Sequence, residues 1–133
     1  MPKLKELEGY FTKTVKRRDE ALAKFTKDLG ENPFHAMVWA AGPMQEVARA
    51  SVAEHYLRSI KTWREAYEGK MLTASQPQNE DAVVEFIRES VVRQAIQRNT
   101  YVERSTSPTS NFMKAEENAF YAYLANDWEM LYA

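Results

Sequence analysis

Between Leu4 and Leu29 the apolar residues Leu4, Leu7, Phe11, Val15, Leu22, Phe25 and Leu29 recur at steps of three, four or seven. That spacing places them on one face of an α-helix. No stretch of the chain alternates apolar and polar residues for long enough to build a strand. The expected fold is therefore all-α, with a first helix over 3–29. Arg18 interrupts the apolar stripe, and its long stem can lie along it. Gly9 costs the helix about 1 kcal/mol relative to Ala, so the first turns are expected to fray. Gly30 is placed to end the helix as a left-handed cap.

The same periodicity continues. Asn32-Pro33 reads as a helix cap followed by Pro at the first helical position. The apolar stripe then runs through Met37, Val38, Ala41, Met44, Ala48, Val52, Tyr56, Ile60, Trp63 and Tyr67. Gly42-Pro43 lies inside it, and proline lacks the amide donor, so the segment is expected to kink or break there into helices over 33–41 and 43–68. Gly69 is the expected terminator. After a connection at 70–78, Asn79 caps a fourth helix over 79–103, whose Val84, Ile87, Val91, Ala95 and Val102 share one face. Phe86, Val92 and Ile96 widen that face beyond what one layer of packing needs. A polar loop follows at 104–110, then a last helix over 110–125 with an extension toward 132. These elements make a four- or five-helix bundle in a single domain spanning 1–133.

Composition narrows what such a bundle does. There is no cysteine, which removes disulfides, thiolate catalysis and cysteine-based metal sites. The longest apolar run, Ala36 to Ala41, is far short of the roughly 20 residues a membrane span needs, and the first residues have no apolar signal core. A cytoplasmic location is the expectation. His35 and His55 are the two histidines, and neither follows a Glu by three residues as in di-iron bundles. Ser51 and His55 are spaced four apart with Glu54 beside them, yet nothing nearby supplies the irregular backbone of an oxyanion site. No glycine-rich phosphate loop is present. No catalytic residue, metal or cofactor is expected.

Two features point to partners. Residues 112–132 hold Phe120, Tyr121, Tyr123, Trp128 and Tyr132, more aromatic surface than one helix face covers, because successive residues are 100° apart. These five, with Trp39 near the Gly42-Pro43 break, are the candidate protein-interface residues. The basic residues Lys13, Lys16, Arg17, Arg18, Lys24 and Lys27 of the first helix are the candidate nucleic-acid contacts. Net charge is only −1, which argues against a dedicated nucleic-acid domain. Residues 1–30 carry eight Lys/Arg against five Asp/Glu, while 105–133 carry one Lys against four acids, so the ends can pair within or between copies. The reading that follows is a non-catalytic helical interaction subunit or adaptor, working in a larger assembly or homo-oligomer, in the style of a phage or mobile-element accessory protein. The alternative is a helical nucleic-acid-binding subunit that uses the basic first helix.

Overall fold

The computed structural model describes residues 2–100 and 107–131. They form five α-helices and no strand: α1 (Leu4–Glu31), α2 (Pro33–Val38), α3 (Ala41–Glu68), α4 (Glu80–Thr100) and α5 (Pro108–Asn126). A single 3₁₀ turn, Trp128–Met130, closes the described chain. The fold is an all-α bundle, as the periodicity requires.

Helices α1 and α3 each have 28 residues, about 42 Å at 1.5 Å per residue. They run antiparallel, clamped by ion pairs at Glu8–Arg64 and Arg18–Glu54. Helix α5 packs on α4 and α3, and α4 also reaches α1. One apolar cluster fills the centre, built from Leu4, Leu7 and Phe11 of α1, Val52, Tyr56, Ile60 and Trp63 of α3, Val84, Ile87 and Val91 of α4, and Leu124 of α5. Tyr56 is the junction. Its ring stacks on Phe11 at 5.6 Å and meets Tyr121 edge-on at 6.4 Å, and its hydroxyl hydrogen-bonds Ser90 at 2.9 Å.

This core occupies one end of the long helices. The buried residues of α1 stop at Thr14, and in α3 they begin at Ala48. The second half of α1, all of α2 and the first turns of α3 form an arm in which only Ala36 is fully buried. Phe25, Leu29, Met44 and Val47 are half-buried there.

The helix ends depart from expectation in four places, each for a local reason. Gly30 is not a left-handed cap, since no glycine has positive φ. Helix α1 continues to Glu31 and stops at Asn32, where the following proline disfavours helical backbone. Asn32 serves two helices: its N–H donates to Asp28 O at 2.7 Å, ending α1, and its Oδ1 accepts from His35 N–H, starting α2. The break expected at Gly42-Pro43 lies at Trp39-Ala40 instead. Pro43 falls in the first turn of α3, where its missing N–H would have no helical partner anyway. Pro108, read as loop, is the first residue of α5, with Ser107 Oγ accepting from Ser110 N–H. The proposed extension of the fourth helix over 101–103 lies outside the described residues.

The fourth departure is at the end of α3. Gly69 has φ −81°, and the left-handed residue is Lys70 at φ 55°. Lys70 N–H donates to Tyr67 O and Met71 N–H to Ala66 O, the two bonds of a Schellman termination. A lysine therefore stands where glycine is favoured, one residue after the glycine itself. Lys70→Gly is expected to raise stability by about 1 kcal/mol, read as a higher denaturation midpoint at unchanged m-value. Lys70→Ala, which keeps the Cβ, is expected to give no such gain.

Candidate functional site

The five described aromatic candidates separate into two groups. Phe120, Tyr121 and Trp128 are core residues, 4%, 5% and 3% exposed, so their expected role as free interface anchors is corrected. Helix α5 turns Phe120, Tyr121 and Leu124 inward together, and the closing turn folds Trp128 and Leu131 back under them. Tyr121 is further covered by the Arg98 guanidinium, 4.8 Å above its ring. Trp128 Nε1 is buried with no hydrogen-bond partner among the described residues. Tyr123 and Trp39 remain exposed, at 51% and 67%. Tyr132 lies outside the described residues.

Trp39 belongs to a larger apolar surface that the sequence reading only partly named. Phe34, Met37 and Val38 of α2 fall at i, i+3 and i+4, which puts them together on one side of that helix. All three are exposed, Phe34 most of all at 81%. Only Ala36 seats α2 on its neighbours. Beside it runs a groove of about 490 Å³ between α1 and the start of α3, walled by Phe25, Ala36, Trp39 and Pro43, with Lys24, Asp28 and Glu46 around it. The signal for this patch was the apolar run Ala36 to Ala41, which cannot all turn inward on a helix of one and a half turns.

The breadth noted on the fourth helix also has a physical outcome. Val83, Val84, Ile87 and Val91 face the core, while Phe86 and Ile96 are exposed at 56% and 63%. Phe86 edges a groove of about 540 Å³ between α3 and α4, floored by Ile60, Val83 and Ile87. Trp63 Nε1 donates to Pro77 O at 2.8 Å and holds the 70–79 connection across one end of it.

Of the basic candidates, Lys13, Lys16, Arg17, Lys24 and Lys27 are exposed. At 100° per residue these five fall within an arc of about 100° on α1, with Glu20 and Glu31 in the same arc. Arg18 points elsewhere. It is half-buried and paired with Glu54 and Asp19, so it is a structural clamp rather than a free phosphate contact.

Compared with known protein families, curated proteins and solved structures, the chain matches none.

The surfaces must therefore be read from their chemistry. Among the described residues no three His, Cys, Asp or Glu side chains are grouped to hold a metal, and no helix is long and apolar enough to cross a membrane. Exposed His55 lays its ring edge on Tyr56 at 5.0 Å, and the neighbouring Ser59 hydroxyl donates to its carbonyl. Burial pushes the Tyr10 hydroxyl up to about 12, with Tyr123 adding to it and Arg49 and Arg17 opposing. Burial raises Tyr121 as well, with Tyr56 adding to it and Arg98 opposing, and it raises Tyr56.

These raised values carry a pH consequence. An unfolded tyrosine ionises near 10, and the folded ones resist ionising. The stability from keeping them neutral is fully present below about pH 10 and is lost as the pH climbs through the folded values. Denaturation midpoints are expected to hold at neutral pH and fall between about pH 10 and 12. Tyr121→Phe, which cannot ionise, is expected to show a shallower alkaline fall than the parent.

Proposed function

We propose that the chain is a non-catalytic helical interaction subunit that docks a protein partner, or a second copy of itself, through α2. The observation behind this reading is the run Phe34, Met37, Val38 and Trp39, between 58% and 81% exposed on a helix that buries one alanine of its own. Isolated exposed apolar residues are ordinary, but four adjacent ones including Trp and Phe are the composition of a binding hot spot. The flanking Lys24, Asp28 and Glu46 supply the mixed polar rim such interfaces carry. A place among phage or mobile-element accessory proteins fits a small helical subunit of this kind, and residence in a reducing compartment fits the absence of cysteine.

Exposed residues contribute little to their own fold, which makes the docking role separable from stability. Phe34→Ser and Trp39→Ser are each expected to change folding stability by no more than about 0.5 kcal/mol. The same substitutions should weaken association by about 2 kcal/mol, roughly thirtyfold. Light scattering of the full chain, alone and with its co-purified partner, measures both arms: a mass above the 15.4 kDa monomer that the substitutions abolish supports the reading. A strict monomer at all concentrations with no co-purified partner counts against it.

A second reading has its own observation, the shared arc of Lys13, Lys16, Arg17, Lys24 and Lys27. From Lys13 to Lys27 the arc is about 21 Å long, enough to follow several phosphates of a nucleic-acid strand. On this reading, binding to short DNA or RNA falls steeply with added salt, and Lys24→Glu with Lys27→Glu abolishes it. Absence of a salt-sensitive shift at low ionic strength would remove the nucleic-acid role.

A further inference from the structure

A smaller cavity, of about 290 Å³, opens where α1, α3 and α5 meet the closing turn. Its wall includes Lys13 and Arg17 from one face of α1, Arg49 from α3, and the aromatic rings of Tyr10, Phe120 and Tyr123. Arg18, Arg58, Arg64, Arg88 and Arg98 each have a carboxylate partner. Arg17 and Arg49 have none among the described residues, although Glu46 shares the wall and Asp127 is close enough to act on Tyr10. Lys13, Arg17 and Arg49 outnumber these two carboxylates, and the excess positive charge at one cavity is what an anion would balance.

The aromatic side is organised too. The Arg49 guanidinium sits 5.8 Å from the centroid of buried Phe120, which fixes the cation. Tyr123 stacks on Phe120 with ring planes 10° apart and stays half exposed at the rim. Two guanidinium forks and an ammonium match the doubly charged, three-oxygen end of a phosphate monoester better than a single carboxylate. An exposed tyrosine beside them is a platform for a flat base. The volume is at the small end for ligand pockets, about 300 Å³, which suits one nucleotide and excludes a duplex.

We propose that this cavity binds a single nucleotide, its phosphate held by Lys13, Arg17 and Arg49 and its base laid against Tyr123. The Tyr10 hydroxyl, on the same wall, donates to a phosphate oxygen, and Glu46 accepts from a sugar hydroxyl or base amine. The shared chemistry, a phosphate next to a base, is offered both by a free nucleotide and by the 5′-phosphorylated end of a strand. The site is separate from the α2 surface, and neither depends on the other.

Isothermal titration of the full chain at low salt tests it, with adenosine monophosphate, inorganic phosphate, adenosine, and a short single strand with or without a 5′-phosphate. The expected result is that the nucleotide, or the 5′-phosphorylated strand, binds at least about tenfold tighter than phosphate or adenosine alone. Which of the two binds identifies the source. Arg17→Ala and Arg49→Ala should each weaken that binding about tenfold or more. Tyr123→Ala should remove the advantage over inorganic phosphate, and Lys27→Ala, on the basic arc but outside the cavity, should change nothing. Arg17 is exposed, so its variant keeps the test valid should Arg49→Ala disturb Phe120. No binding by any phosphate-bearing probe at millimolar concentration overturns the proposal. So does binding indifferent to Arg17, or binding as sensitive to Lys27 as to Arg17.

Discussion

Everything in the core is arranged around one buried phenol. Tyr56 is touched by Phe11 of α1, Ser90 of α4 and Tyr121 of α5, so a single α3 side chain meets each of the other three core helices. An apolar residue there could slide along its neighbours at little cost. A hydroxyl inside the protein must find a partner, and losing that bond costs the full desolvation of the group. The Tyr56–Ser90 bond therefore fixes how far α4 is shifted along α3. Hydrophobic burial drives the helices together, and this polar pair selects one register among the many that burial alone would accept.

The charged clamps act in the same sense at the surface. Glu8–Arg64 and Arg18–Glu54 set α1 antiparallel to α3 at two points ten residues apart on α1. Exposed ion pairs contribute modestly to stability. Their value here is alignment, since both pairs form in the register that stacks Phe11 on Tyr56. Further along, Arg98 joins α4 to α5 through Glu117 and covers Tyr121. Each arginine that clamps a helix pair is thereby withdrawn from any role toward a partner, and Arg17, its neighbour Arg18 and Arg49 illustrate the division between free and committed cations.

How much of this was legible beforehand depended on the kind of signal. The apolar stripes of α1, α3 and α4 were readable because burial on a helix imposes a 3.6-residue period on the residues themselves. The starts of α2 and α4 were readable from Asn32 and Asn79, whose side-chain oxygens accept from His35 and Ala82 N–H as capping requires. Helix ends were less so. Gly30 and Gly69 look like terminators, but the terminating constraints came from Pro33 and from the left-handed Lys70. The placement of the aromatic residues of α5 was hardest. Periodicity shows that Phe120, Tyr121 and Tyr123 cannot share one face, yet only the crossing of α5 over Tyr56 and Arg49 decides which is covered. The cavity at Arg49 joins residues more than 100 positions apart, and no local pattern announces it.

The off-centre core has a mechanical meaning. The second half of α1 and the first turns of α3 are fastened to the bundle by continuous helix rather than by deep burial, and α2 joins their far ends. A rod fixed at one end and free at the other can open at its tip without disturbing the root, so the shallowly buried arm is expected to open at lower free energy than the core. Amide exchange in α2 then proceeds through local opening, while the amides around Tyr56 wait for global unfolding. A helix at the tip of such a cantilever can change its shape while the register locked at Tyr56 stays untouched.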